Sequence, residues 1–288
     1  MSRRELARHP SFDQVSPEVG ELDEAAFDEL MSEDADEAMA MLADMTRATD
    51  ARLRDLARRL AGRLMLDVAR RGRSRPRGAG RIATTPYQPD AGDLDVDAST
   101  EAIVEARAAG AAVDPERLRV RRWVQPRTAV CLLVDRSGSM GGRPLATNAV
   151  AAAAVAFRSP EDFSVVSFAK DSVVLKSQDG STPVETIVDG VLSLRGHGTT
   201  DLAGALQIAG QQLARSSAGR KIVVLLSDCR ATEPGDVERA AAVLDELAIV
   251  APEGDDDAAV ALANAVGAVI TTVTGPSAAA EALTRVLG

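Results

Sequence analysis

The feature that most constrains the fold is a regular alternation of apolar runs and helix-like segments that begins at residue 128. Two of the runs, TAVCLLVD (128–135) and KIVVLLSD (221–228), are apolar for most of their length and end at an aspartate. Strands that are apolar on both faces are typical of parallel sheets covered by helices on both sides. Residues 128–288 are therefore predicted to form an α/β domain with a doubly wound, mostly parallel sheet.

The remaining elements of this domain are predicted from the same patterns. Further strands are expected at 162–169, 172–177, 248–251 and 268–274. Helices are expected at 143–157, 182–194, 200–214, 236–247, 256–266 and 277–287. Only a short turn separates the strands at 162–169 and 172–177, so the second of them is predicted to be an antiparallel edge strand.

The N-terminal part of the chain has a different character. Residues 1–85 are predicted to form a helical region that ends in an arginine-rich linker, and residues 86–127 a connector. Apolar residues at steps of three and four predict one helix over about 35–71, after a shorter helix at 24–31. The connector is predicted to be an extended piece followed by a helix that is capped near Ser99 and ends near residue 109.

Composition and charge narrow the classes of function. The chain of 288 residues carries a net charge of −10, which argues against a general nucleic-acid-binding protein. Its two cysteines do not make a disulfide framework, and no segment is long and apolar enough to be a membrane span. The N-terminus lacks the apolar region of a secretory signal, so the protein is expected to be cytoplasmic.

Oxygen-bearing side chains are predicted to meet at one edge of the sheet. Asp135, Ser137 and Ser139 follow the first apolar run, and Asp228 ends the second. Thr200 lies in the glycine-flanked loop GHGTTD, before a predicted helix that it could instead cap. Doubly wound sheets bind ligands at the carboxyl ends of their strands, so these residues form a candidate site. Oxygen ligands suit a hard cation, Mg²⁺ above all, or Mn²⁺ or Ca²⁺.

This set, D-x-S-x-S followed in order by a threonine and an aspartate, resembles the metal-ion-dependent adhesion site of the von Willebrand factor A domain. The resemblance covers the whole predicted α/β domain and fills all the motif positions. It implies that Ser137 and Ser139 bind Mg²⁺ directly, with Thr200 in some states, and that Asp135 and Asp228 bind directly or through water. It also implies an open coordination position, which an aspartate or glutamate of a partner protein fills.

Within that family, the chain resembles the bacterial members that accompany MoxR-type AAA+ ATPases, because a helical part precedes the A domain. It is also similar to the A domain of magnesium- and cobalt-chelatase subunits. The resemblance implies a non-enzymatic adaptor between an ATPase and a client, in client maturation or metal-cofactor insertion. One departure is Cys229, where many members have glycine; it alters the loop but removes no ligand oxygen.

Two other functions are the alternatives to this interpretation. A hydrolytic enzyme could use the region of Ser139, since SGSMG approaches G-x-S-x-G, but that fold needs a histidine after its acid. The only histidines, His9 and His197, precede Asp228. RNA could bind the arginine-rich stretch 70–81, although aromatic residues for base stacking are scarce. No lysine follows a glycine as a P-loop requires, so ATP hydrolysis by this chain is not expected.

Overall fold

The chain divides into two units. The computed structural model describes residues 1–71, 81–89, 92–124, 127–136, 142–196 and 198–287. One unit combines residues 1–75 with residues 128–288, and the other is residues 76–127. Within the described ranges, no helix is both long enough and apolar enough to cross a membrane.

The elements are numbered here in chain order. The first helices are α1 (Arg3–Leu6), α2 (Phe12–Val15), α3 (Glu24–Glu33), α4 (Ala35–Met45) and α5 (Ala51–Arg71). The second unit contains β1 (Arg81–Pro86), β2 (Asp93–Leu94), α6 (Val96–Ala108) and β3 (Arg119–Val124). The first unit resumes with β4 (Thr128–Asp135), α7 (Gly142–Arg158), β5 (Phe163–Phe168), β6 (Ser172–Lys176), α8 (Val184–Leu192) and α9 (Leu202–Leu213). It ends with β7 (Arg220–Leu226), α10 (Val237–Ala242), β8 (Glu246–Pro252), α11 (Asp257–Val266), β9 (Val269–Val273) and α12 (Pro276–Leu287).

The sheet of the first unit has the strand order β6-β5-β4-β7-β8-β9. All neighbouring strands are parallel except β6, which pairs antiparallel with β5 at one edge. Helices cover both faces of this sheet. The predicted α/β class, the doubly wound and mostly parallel sheet and its antiparallel edge strand are therefore confirmed.

The central strand β4 is buried on both faces, which explains its continuous apolar sequence. Its even-numbered residues from 130 to 134 belong to a core that also includes residues of α7, α8, α12 and the N-terminal helices. Its odd-numbered residues from 129 to 133 belong to a second core with residues of α9, α10 and α11. Most of α7 is buried as well, and its many alanines allow close packing.

The N-terminal helices differ from the prediction in one respect, because the helix expected over 35–71 is two helices, α4 and α5. Thr46 Oγ1 donates to the carbonyl of Ala43 at 2.6 Å, and the carboxylate of Asp50 accepts the amide of Leu53 at 2.7 Å. These polar contacts end one helix and begin the next. The spacing of apolar residues continues across the break and does not reveal it. Both helices pack against α7, so the helical region and the sheet share one core.

The second unit contains more regular structure than the predicted extended piece and helix. Its first strand, β1, lies almost wholly in residues 81–85, at the end of the predicted arginine-rich linker. β1, β3 and β2 form an antiparallel sheet in that order. The helix α6 is capped by Asp95, which accepts the amide of Ala98 at 3.2 Å, and the expected cap at Ser99 is wrong. Ser99 instead accepts the amide of Arg119 in β3 at 2.9 Å. β3 reads RVRRWV, and its arginines hide the alternation that would predict a strand.

The boundary between α10 and β8 also differs from the prediction. Leu247 was expected to end a helix, yet it lies in β8 opposite Val223 of β7. The parallel pairing of β7 and β8 extends over the residues that local periodicity assigns to the helix, so tertiary pairing overrides helix propensity here. The other predicted helices and strands of this domain, and the short helix at 24–31, occur close to their expected positions.

Candidate metal-binding site

Asp135 and Asp228 lie at the same edge of the sheet. β4 and β7 are parallel neighbours, and Val134 pairs with Leu226 at the end of their ladder. Asp135 is the last residue of β4, and Asp228 comes shortly after β7 ends. Because the two strands run in the same direction, both carboxylates reach the carboxyl edge, where ligands of such sheets bind.

Ser227 connects the ends of these strands through its hydroxyl group. Its Oγ donates to Oδ2 of Asp135 at 2.6 Å and accepts the amide of Cys229 at 2.9 Å. The carboxylate of Asp228 accepts the amide of Arg230 at 3.0 Å, which forms a tight turn directly after β7. These contacts fix the orientation of both carboxylates.

Both carboxylates line a cleft of about 400 Å³. Its other walls include Arg143 near the start of α7, and Thr274 and Gly275 just before α12. Asp255 also lines the cleft and forms an ion pair with Arg230. Among the described lining residues, three carboxylates accompany one arginine. Because Arg230 neutralises Asp255, the negative charge of the cleft comes from Asp135 and Asp228 against Arg143, and this net negative charge favours a bound cation.

Thr200 is buried beside the loop that follows β7. Its amide donates to Oγ1 of Thr232 at 2.7 Å, and its carbonyl accepts the amides of Thr232 and Glu233, each at 3.1 Å. The cap of α9 is Asp201, whose Oδ1 accepts the amide of Gly204 at 2.8 Å. Helix capping is therefore not the role of Thr200. It is not among the described residues that line the cleft, so its metal contact stays a prediction.

Ser137 and Ser139 lie outside the described residues, as does His197, and their predicted roles stay predictions. The two ends of the 137–141 segment are described. The amide of Arg136 donates to the carbonyl of Phe168 in β5 at 2.8 Å. The amide of Gly142 donates to Oδ1 of Asp44 in α4 at 2.7 Å.

Cys229 has a left-handed backbone conformation, with φ of 62°. Its position follows Asp228, where glycine would adopt such a conformation without a steric penalty. Burial, with the negative charges of Asp228 and Asp135, raises the pKa of the Cys229 thiol to about 12. Burial also raises the pKa of the Cys131 thiol to about 12, and both cysteines are free. A raised pKa disfavours the thiolate, which is the form in which a cysteine acts as a nucleophile.

The donor chemistry of this edge fits a hard divalent cation. Carboxylate oxygens of Asp135 and Asp228 and the hydroxyl of Ser227 lie here, and hard cations prefer such oxygens. In the part of the chain that the structure describes, no three His, Cys, Asp or Glu side chains are grouped as a metal site. A metal at this edge would take further oxygen ligands besides the two carboxylates, and Ser137, Ser139 and Thr200 are the hydroxyls of the motif.

Sequence reasoning did not identify Ser227 as part of the site. The residue immediately precedes Asp228 in the run LLSD, where a serine interrupts an otherwise apolar strand. A polar side chain at the buried end of a strand needs a hydrogen-bond partner. This requirement is the feature of the sequence from which Ser227 could have been predicted as part of the site.

Comparisons with known proteins found a matching family model and similar solved structures. Residues 130–231 match the family model of the von Willebrand factor type A domain. The chain is similar to the vWF domain of the type V pili tip protein Mfa5 from Porphyromonas gingivalis, with 22% identity over 38% of this chain and 40% of that chain and a TM-score of 0.33. It is similar to von Willebrand factor type A from Catenulispora acidiphila, with 19% identity over 57% and 42% of the two chains and a TM-score of 0.43.

A third similar structure is manganese-loaded TRAP protein from Plasmodium vivax, with 14% identity over 57% of this chain and 74% of that chain and a TM-score of 0.44. The chain spans less than half of the length of the pilus and Catenulispora proteins. No curated protein gives a significant match. The residues that match the family model, 130–231, lie in the unit that contains the mostly parallel six-stranded sheet.

Proposed function

We propose that this chain is a Mg²⁺-dependent protein-binding module whose partner presents an aspartate or glutamate to the metal. The observation that carries the proposal is that Asp135 and Asp228 line one cleft at the carboxyl edge of β4 and β7. With Ser137, Ser139 and Thr200 they complete the motif that would hold Mg²⁺, with Mn²⁺ as the alternative. When bound, the cation supplies an electrophilic centre, because neutral hydroxyl ligands leave much of its charge available to an outside carboxylate.

We propose further that the partner is a MoxR-type AAA+ ATPase and that the chain is a non-enzymatic, cytoplasmic adaptor for it in client maturation or metal-cofactor insertion. The support is the sequence resemblance together with the helical region that precedes the A domain. This region packs on α7 and contributes to the same core, so an ATPase would meet the helices and the sheet domain as one unit.

Calorimetry with Mg²⁺ tests the metal site directly. Asp135→Ala should abolish binding, and Asp255→Ala is the matched control, because Asp255 lines the same cleft but lies outside the motif. The control should bind Mg²⁺ like the wild type. Equal affinity of the wild type and Asp135→Ala would overturn the proposal.

Partner capture is tested by a pull-down with a purified MoxR-type ATPase in Mg²⁺ or EDTA. Wild type should retain the ATPase only with Mg²⁺, and Ser137→Ala should not retain it in either condition. A complex that forms equally well in EDTA would mean that this edge is not the interface.

A further inference from the structure

Two carboxylates of α4 contact the starts of two helices in the sheet domain. Oδ1 of Asp44 accepts the amide of Gly142 at 2.7 Å, at the start of α7. Oδ1 of Asp36 accepts the amide of Ser277 at 2.8 Å, in the first turn of α12. The first amides of a helix have no partner within the helix, and their end of the helix attracts negative charge. The helix α4 therefore supplies two caps to the domain that follows it.

Of the two contacts, only the one at Gly142 adjoins the metal motif. Gly142 directly follows the segment 137–141, which contains Ser137 and Ser139. The other end of this segment is fixed by the bond from the amide of Arg136 to Phe168 in β5. Asp44 thus holds the residue that directly follows this segment, although Asp44 and Gly142 are 98 residues apart in sequence.

The surroundings of Asp44 hold its carboxylate in place. The residue is buried, and its Oδ2 lies 3.1 Å from Nε2 of His9. Gly142 has a φ of 52°, which favours glycine. A Cβ at Gly142 would lie 3.6 Å from Oδ2 of Asp44 and 3.7 Å from Cβ of Ala40, so the backbone approaches α4 closely.

We infer that Asp44 is a positioning residue for the metal site. Through Asp44, the N-terminal helical region contributes to the Mg²⁺ affinity of that site. Asp44 holds the amide of Gly142, the residue that directly follows the sequence segment containing Ser137 and Ser139. The inference rests on the proposed function, because it assigns to Asp44 a role in the Mg²⁺ affinity of the same edge. It goes beyond the five motif residues by placing a determinant of affinity outside the A domain.

The experiment compares Asp44→Ala with Asp36→Ala, which removes the equivalent cap from α12. Mg²⁺ is titrated by calorimetry well below the melting temperature of each variant, and thermal melts are recorded in EDTA. Both variants should melt earlier than wild type, because each loses a helix cap. Only Asp44→Ala should bind Mg²⁺ more weakly, by about tenfold, the lower end of the range for groups that orient metal ligands. Asp36→Ala should stay within about twofold of wild type, since its contact does not adjoin the motif.

Asp44→Asn keeps the volume and one acceptor oxygen for the amide of Gly142 while it removes the charge. Its Mg²⁺ affinity should lie between those of wild type and Asp44→Ala. If the alanine variant fails to fold, the test is whether Asp44→Asn binds Mg²⁺ more weakly than wild type, and wild-type affinity would then overturn the inference. Wild-type affinity in Asp44→Asn and in a folded Asp44→Ala would overturn the inference but leave the proposed function intact. Equal losses of affinity in Asp44→Ala and Asp36→Ala would also overturn it, because the effect would then be general loosening. A wild type that does not bind Mg²⁺ would overturn both proposals.

Discussion

The imidazole Nε2 of His9 lies 3.1 Å from Oδ2 of Asp44, and its other ring nitrogen lies 2.7 Å from the carboxylate of Glu37. A neutral imidazole has a single N–H and can donate to only one of these carboxylates, whereas the imidazolium donates to both. The hydrogen bond with Asp44 therefore raises the pKa of His9 above its ordinary value; burial opposes the shift, and Glu37 adds to it.

The raised pKa predicts how stability depends on pH. Because folded His9 binds its proton more tightly than unfolded His9, protonation stabilises the fold. This contribution is complete below the unfolded pKa of about 6.5 and is lost as pH rises through the higher folded pKa. Urea unfolding of wild type and His9→Gln from pH 6 upward should give a stability difference that shrinks with rising pH. A difference that is constant or grows would contradict the prediction.

Gly275 provides a test of how the N-terminal helices pack on the sheet domain. A Cβ at Gly275 would collide with the carboxylate of Asp36 in α4. Gly275→Ala should therefore push Asp36 away from the amide of Ser277 and destabilise the fold by about 1 kcal/mol, the usual cost of a lost helix cap. In an Asp36→Ala background the same substitution should cost clearly less, because contacting residues couple. Urea unfolding of the four proteins measures this coupling. If Gly275→Ala lowers the free energy of unfolding equally in both backgrounds, Asp36 is not the residue that requires glycine at position 275.

The backbone of Cys229 predicts an unusual order of stabilities. A residue with a Cβ is strained at a φ of 62°, whereas glycine is not. Cys229→Gly and Cys229→Ala both remove the thiol, but only alanine keeps the strain, so the glycine variant should be more stable by about 1 kcal/mol. Thermal melts in EDTA compare the two variants without a contribution from metal. An alanine variant as stable as the glycine variant would show that the loop adapts to a side chain.

The sheet domain could be predicted because its signals are local. β4 and β7 are apolar runs, and the helices between them carry their own periodicity, so element type and order follow from neighbouring residues. The carboxyl edge could be predicted for the same reason, since Asp135 and Asp228 terminate parallel strands. Their roles as metal ligands, and those of the three motif hydroxyls, stay predictions.

The packing of the N-terminal helices could not be predicted, because it depends on contacts between distant residues. Asp44 and Gly142 are 98 residues apart, and neither has a local pattern that indicates the other. The division of residues 35–71 into two helices depends on two polar contacts, Thr46 with Ala43 and Asp50 with Leu53, within a continuous apolar period. Sequence periodicity reports which face of a helix is buried, but it does not report what covers that face.

Substitution of Asp228 tests whether this residue is a metal ligand or only a structural cap of the turn after β7. Asp135 and Asp228 line one cleft, and two negative charges there repel each other when no cation lies between them. Asp228→Asn removes one charge and keeps an oxygen that can accept the amide of Arg230, as Oδ1 does at 3.0 Å in the wild type. The asparagine variant should therefore be at least as stable as wild type in EDTA.

Added Mg²⁺ should then separate the two proteins. At ten times its dissociation constant, Mg²⁺ should stabilise wild type by about 1.4 kcal/mol, because it binds only the folded state. Asp228→Asn should gain little at the same concentration, whereas Asp255→Asn, which loses the ion pair with Arg230 but no motif oxygen, should gain as much as wild type. Thermal melts of the three proteins, with Mg²⁺ and with EDTA, measure these differences. If Asp228→Asn melts well below wild type in EDTA, the charge of Asp228 is needed by the turn after β7, and its assignment as a metal ligand is wrong.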